Sequence, residues 1–229
     1  MAMTITPDKA LYRLMTWLSP AYPVGAYTYS HGLEQAFEMG LVTTPKSTQH
    51  WIADILCHGG GFADAVFLCE AYRTANDPSA LARVAAHALA YAPTTELALE
   101  SESQGAAFIA VTDAAWPEAR LERLTKQADE PHAYAVAVGV AAEGAGIALE
   151  DTLHAYLHAF ACNLVSAAVR LIPLGQTDGQ RITAALEKSV NHTAERAITE
   201  TIDTLATCAF MADISSMKHE TQYTRLFRS

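Results

Sequence analysis

The stretch that decides the fold is PHAYAVAVGVAAEG, residues 131–144. Within it, Val136-Ala137-Val138-Gly139-Val140 is the one run in the chain that reads as a strand, with β-branched residues at alternate positions. Its flanks argue otherwise. They are rich in alanine, the strongest helix former, and Pro131 opens the stretch while Gly144 and Gly146 close it. We read it as helix. With that reading no strand is left, and the chain is all-α.

Working outward, helix signals recur on both sides. Upstream, Thr95 to Ala115 reads as one long helix, and Trp116-Pro117 begins a short charged one reaching about Ala128. Downstream, Asp151 is placed to cap a long helix reaching Leu171. A Pro/Gly loop follows at 173–179, then two helices over about 180–190 and 193–216. Nearer the start, Thr6-Pro7-Asp8 supplies a cap hydroxyl, a first-turn proline and an acid at the positive end of the dipole. Leu11, Leu14, Met15 and Leu18 then share one face. A second helix is expected from about Thr28 to Met39, capped by Gly40. Thr44-Pro45 starts a third, with Trp51, Ile52, Ile55 and Leu56 inward. Gly59-Gly60-Gly61 ends or kinks it, Phe62 to Tyr72 continues as a fourth, and Asp77-Pro78 opens a fifth that Pro93 stops. The expectation is a single helical domain of about ten helices over residues 1–217, followed by a separate tail, 218–229.

Composition narrows the function. Hydrophobic residues make up 51% of the chain, enough for a large core. The net charge of −10 repels phosphate backbones and argues against nucleic-acid binding. Cys57, Cys69, Cys162 and Cys208 form no CxxC pair and read as buried, reduced thiols, hence a cytoplasmic protein. No targeting segment or membrane span is recognised. Catalytic signatures are missing: there is no G-x-S-x-G elbow, and no lysine with Ser or Thr follows the triple glycine. Glu96, Glu100 and Glu102 read as a solvated helix face. His154, His158 and Cys162 lie at i, i+4, i+8, but lack the glutamate of HExxH and read as polar interface residues. We expect no enzyme, no cofactor and no metal ligands.

The two ends stand apart from this background. Residues 19–34, SPAYPVGAYTYSHGLE, crowd three tyrosines, two prolines and two glycines together, which suits a buried turn or a binding segment. Residues 218–229 carry Lys218, Arg225 and Arg228 against Glu220, with Tyr223, Leu226 and Phe227 among them. A basic, aromatic tail on an acidic body is interface material, and a mobile one folds on its partner.

These segments, together with AVRLIPLGQTDGQ at 168–180, resemble the urease accessory protein UreF family, in the same order from about residue 11 onward. Tyr27 stands where Phe is common and Thr224 where Ser is common. The resemblance implies an all-α, non-catalytic nickel-insertion chaperone. Such a protein forms a homodimer, binds a UreD/UreH-type scaffold, recruits a UreG-type GTPase and serves nickel insertion into apo-urease. It also implies roles by position. His219, Glu220, Thr221, Gln222, Tyr223, Arg225, Leu226, Phe227 and Arg228 match the tail that becomes ordered on the scaffold. Gly25, Tyr27, Tyr29, Ser30, Gly32 and Glu34 match the motif associated with the GTPase. Arg170 belongs to a central motif near an interface, with Gln176 to Gln180. Two alternatives accompany this reading. One is an activator of the GTPase, with Arg170 or Arg225 as candidate fingers by type. The other is a nickel carrier using His154, His158 and Cys162.

Overall fold

The structure is a computed structural model that describes residues 6–126 and 131–229. Among the described residues it contains eleven α-helices, one 3-10 turn and no strand. The helices are α1 (Pro7–Trp17), α2 (Leu33–Glu38), α3 (Pro45–His58), α4 (Gly60–Thr74), α5 (Pro78–Ala90) and α6 (Thr95–Ala115). They continue with α7 (Ala119–Lys126), α8 (Tyr134–Gly144), α9 (Leu149–Leu171), α10 (Gln176–Thr199) and α11 (Phe210–His219). The expected end of α7 near Ala128 falls outside the described residues, as do residues 1–5.

The deciding stretch is α8, and every residue from Ala135 to Ala142 is buried. It packs between α4 and α6. Small residues set these distances, because a helix pair approaches as closely as its contact side chains allow. A side chain on Gly139 would begin 2.6 Å from the Leu68 carbonyl oxygen of α4. One on Gly105 of α6 would overlap the His132 carbonyl oxygen. The alternating valines that mimic a strand simply face neighbours on all sides.

Helix starts follow the caps. Thr44 and Ser47 form a reciprocal capping box on α3. Asp77 accepts from the Ser79 and Ala80 amides at 3.0 Å, and Thr94 from the Leu97 amide at 3.2 Å. Asp151 caps nothing: α9 begins two residues earlier at Leu149, leaving Asp151 in its first turn. The triple glycine breaks α3 from α4, where Gly61 sits against Leu56. The joined span Pro45–Thr74 is long and apolar enough to cross a membrane, yet 67% of its most apolar window is buried inside the fold, as a core helix pair would be.

Three expectations need correction. The helix expected over Thr28–Met39 is a 3-10 turn, Ala26–Thr28, followed by the short α2. Between them His31 (φ 52°) and Gly32 (φ 72°) are both left-handed, which stops a right-handed helix from propagating. The expected break near 191–192 does not exist. Ile182, Leu186, Val190, Ala194 and Ala197 continue one buried stripe along α10, while Asn191 and His192 face outward. The break comes instead at Glu200, where the chain turns extended. Hydroxyls of Thr199, Thr201 and Thr204 bond locally there, competing with the helix ladder. This strap crosses the α3–α4 gap, with the Cys208 amide on the His58 carbonyl at 2.7 Å and Ala209 filling the space beside Gly59. Lastly, Cys69 is buried and Cys57 and Cys162 are half-buried, but Cys208 is exposed.

Candidate functional site

The two unusual ends meet. Left-handed Gly25 and Gly32 fold residues 25–34 into a compact turn, and Gly32 is required by contact as well as by φ. A side chain there would begin 2.5 Å from the Ser216 amide nitrogen of α11. α11 therefore lies directly on α2, and the chain beyond it runs back along the turn. The Arg228 amide donates to the Thr28 carbonyl at 2.8 Å, and the Ser30 amide to the Ser229 main-chain oxygen at 2.9 Å. The Ser30 hydroxyl donates to that same oxygen. Ser229 itself is fully buried.

Glu34 is the hub of this clasp. Its carboxylate is 6% exposed and accepts from the Leu226 amide at 2.7 Å and the Phe227 amide at 2.9 Å. The fully buried His219 ring reaches Glu34 at 3.2 Å through Nε2 and Glu96 at 2.7 Å through Nδ1. Both ring nitrogens thus face carboxyl oxygens. Arg225 completes the cluster on Glu96 at 2.7 Å. One layer deeper, Glu100 accepts from the Ser229 hydroxyl at 2.9 Å and Gln104 at 2.8 Å, with His31 Nε2 at 3.0 Å. Burial alone would lower the His31 pKa, but the charge and hydrogen bond of Glu100 outweigh it and raise it.

Apolar contacts lock the same unit. Phe227 closes a small core made of Leu33, Ala36 and Val42 with Ala167 and Ala168 of α9 and Ile172 just beyond its end. Arg170 lies between two rings, 3.7 Å from the Tyr27 centroid and 4.4 Å from that of Phe227, and donates to the Tyr27 carbonyl at 2.8 Å. Arg170 thus pins both ends to α9.

The clasp gathers most of the residues singled out by the sequence. Gly25, Tyr27, Tyr29, Ser30, Gly32 and Glu34 form one half. His219, Glu220, Arg225, Leu226, Phe227 and Arg228 form most of the other, with Glu220 accepting from the Thr95 amide at 3.0 Å. Thr221, Gln222 and Tyr223 lie in the loop between, where the Gln222 main-chain amide donates to the His219 carbonyl and its side-chain amide to the Thr224 carbonyl, both at 3.0 Å. Gln176 to Gln180 stand apart, in the first turns of α10. The outward surface is unusually apolar. Tyr223 is fully exposed, and Leu226 continues it. On α11, Phe210 (70% exposed), Met211, Ile214 and Met217 form one continuous face.

Glu96 and Glu100 were the residues misread. They do not form a solvated face with Glu102: Glu100 is 5% exposed. The missed signal was spacing, since Glu96, Glu100 and Gln104 fall at i, i+4, i+8 and Glu102 does not. His158 and Cys162 approach to 3.4 Å, whereas the His154 ring turns back to the Glu150 carbonyl at 2.8 Å. Among the described residues no group of three His, Cys, Asp or Glu side chains is placed to hold a metal ion.

The chain is similar to known proteins along its length. The family model for UreF matches residues 42–187. The urease accessory protein UreF of Rhodopseudomonas palustris strain BisB18 is 49% identical over 100% of this chain and 95% of its own length. That of strain TIE-1 is 52% identical over 97% and 93%. That of Bradyrhizobium diazoefficiens is 50% identical over 96% and 92%. Both halves of the clasp lie outside the stretch that the family model covers.

Proposed function

This chain belongs to the UreF family of urease accessory proteins, and from that premise we propose that it bridges two partners during urease maturation. One is a UreD/UreH-type scaffold, docked on the tail and α11. The other is a UreG-type GTPase, engaged through the turn at residues 25–34. Together they serve nickel insertion into apo-urease, with nickel as cargo. The role is non-catalytic, carried out in the cytoplasm by a homodimer.

The observation that carries this reading is the clasp. It turns residues 25–34 and 219–229 into one body, with an exposed apolar face formed by Phe210, Ile214, Met217, Tyr223 and Leu226. Exposed aromatic and aliphatic side chains beside an arginine are the types that dominate binding energy at interfaces. Here that arginine is Arg228, exposed in a segment whose main chain is already fixed.

The competing roles gain less. Arg170 is sandwiched and Arg225 is paired with Glu96, so neither guanidinium is free to reach a nucleotide. The carrier reading would rest on His158 and Cys162 alone.

The first test uses two side chains that the clasp leaves exposed. Tyr223→Ala and Leu226→Ala together are expected to abolish co-purification with the UreD/UreH-type partner while leaving the circular dichroism spectrum unchanged. Undiminished binding by the double variant would remove the tail from the docking surface. Tyr27→Ala is expected to weaken UreG-type recruitment by the assembled pair. Size-exclusion chromatography with light scattering reports the dimer.

A further inference from the structure

A cavity of about 310 Å³ lies behind the clasp. An apolar cavity of about half that volume accommodates benzene, so a small organic molecule fits here. The wall joins the rings of Phe67, Tyr134, Tyr156 and Phe160 to the carboxylates of Asp64 and Glu100, and among the described residues no lysine or arginine lines it. Glu100 is already saturated by His31, Gln104 and Ser229.

Asp64 is different. Its Oδ2 accepts from the Tyr156 hydroxyl at 2.7 Å. Among the described residues nothing donates to Oδ1, and neither oxygen meets a cationic partner within ion-pair distance. A half-buried carboxylate with no cation in direct contact among the described residues, His31 being the cationic group whose charge it feels, sits in an aromatic-walled cavity and attracts further positive charge. A bare metal ion would find too few ligands, since among the described residues no three ligating side chains converge.

We propose that this cavity binds a small organic cation, an ammonium or guanidinium group on an apolar stem. Asp64 serves as counter-ion and the Tyr134, Tyr156, Phe67 and Phe160 rings enclose the stem. The proposal does not depend on the urease reading. Burial pushes the Asp64 carboxyl up to about 6, with Tyr156 and His31 opposing that shift and Glu100 adding to it. Tyr134 of α8 faces it as well. A bound cation favours the ionised form, so binding releases a proton and tightens as pH rises through that value.

The probe is 2-phenylethylammonium, titrated calorimetrically into the full chain at about 0.15 M salt, where surface ion pairs are screened. The neutral isostere 2-phenylethanol runs in parallel. Saturable binding of the cation is expected, at least about tenfold tighter than the alcohol and tighter at pH 7 than at pH 5. Asp64→Asn keeps an acceptor for Tyr156 and is expected to weaken the cation about tenfold and to abolish the pH dependence. Ala159→Phe, which fills the cavity without touching Asp64, is expected to abolish binding of both probes and covers the case of an unstable Asp64 variant. Equal affinity for cation and alcohol, unchanged binding by either variant, or no saturation overturns the proposal.

Discussion

The α4–α8 core and the clasp are held by different physics. In the core, α8 touches α4 where Gly139 faces the Leu68 carbonyl, and α6 meets the chain entering α8 where Gly105 faces the His132 carbonyl. Nothing directional is needed there. Stability comes from dispersion and from water excluded by close packing. In the clasp, one carboxylate gathers two amides and a histidine, and an arginine is stacked between two rings. The difference teaches where each region is vulnerable. The core answers to volume, while the clasp answers to charge and hydrogen-bond count.

The largest effect should come from volume in the core. Gly139→Leu forces a side chain into the Leu68 carbonyl and Ala71, and is expected to cost about 3 kcal/mol or more. Thermal denaturation would show a drop in Tm of many degrees; an unchanged Tm would mean the helices separate without penalty. Next comes charge in the clasp. Glu34→Gln keeps the size but replaces a carboxyl that accepts from two amides and meets the His219 ring, at about 2 kcal/mol. Hydrogen exchange should speed up at the Leu226 and Phe227 amides and stay slow along α8. Uniform acceleration would show that the two regions are one cooperative unit.

Asp64 sharpens the comparison, because it is a charge on a core helix. Its folded pKa of about 6 lies above the ordinary 3.8. Between those values the folded state holds more protons than the unfolded one, so this group makes stability fall as pH rises from about 4 to 6. Asp64→Asn should therefore be more stable than the parent at pH 7, on the order of 1 kcal/mol, with the gap closing by pH 4. A constant gap would place the cost elsewhere. The smallest effect is Arg170→Lys, about 0.5–1 kcal/mol, from the loss of planar stacking on Tyr27 and Phe227. It should show as faster exchange at the tail amides and not in the core.

How much of this could be read from the sequence follows the same division. Periodicity and caps located most helices, because the burial face of a helix is written every three or four residues. The short-range signals at Thr44 and Asp77 marked starts correctly. The helix over 28–39 was misplaced, since His31 takes a left-handed conformation and its ring lies on Glu100 and Phe160, distant residues that leave no local pattern. Composition flagged both ends of the chain as unusual. It did not show that they meet, because the bonds joining Ser30 to Ser229 or Glu34 to Phe227 link residues nearly 200 positions apart and leave no local pattern. Glu96 and Glu100 were misjudged for the same reason: a carboxylate facing a partner from the far end of the chain looks, in sequence, like one facing water.

That separation has a consequence in time. The Ser30–Ser229 contact spans 199 positions, so chain entropy delays it until the intervening helices have drawn the ends together. During synthesis, at about 5–20 residues per second, residues 25–42 emerge many seconds before their partners. For that interval Leu33, Ala36 and Val42 lack the Phe227 lid, and Glu34 lacks its donors. The clasp thus closes only after residues 219–229 have been made. Translation that stops before them leaves the turn at residues 25–34 without its lid, so a shortened chain lacks the body on which the proposed docking rests.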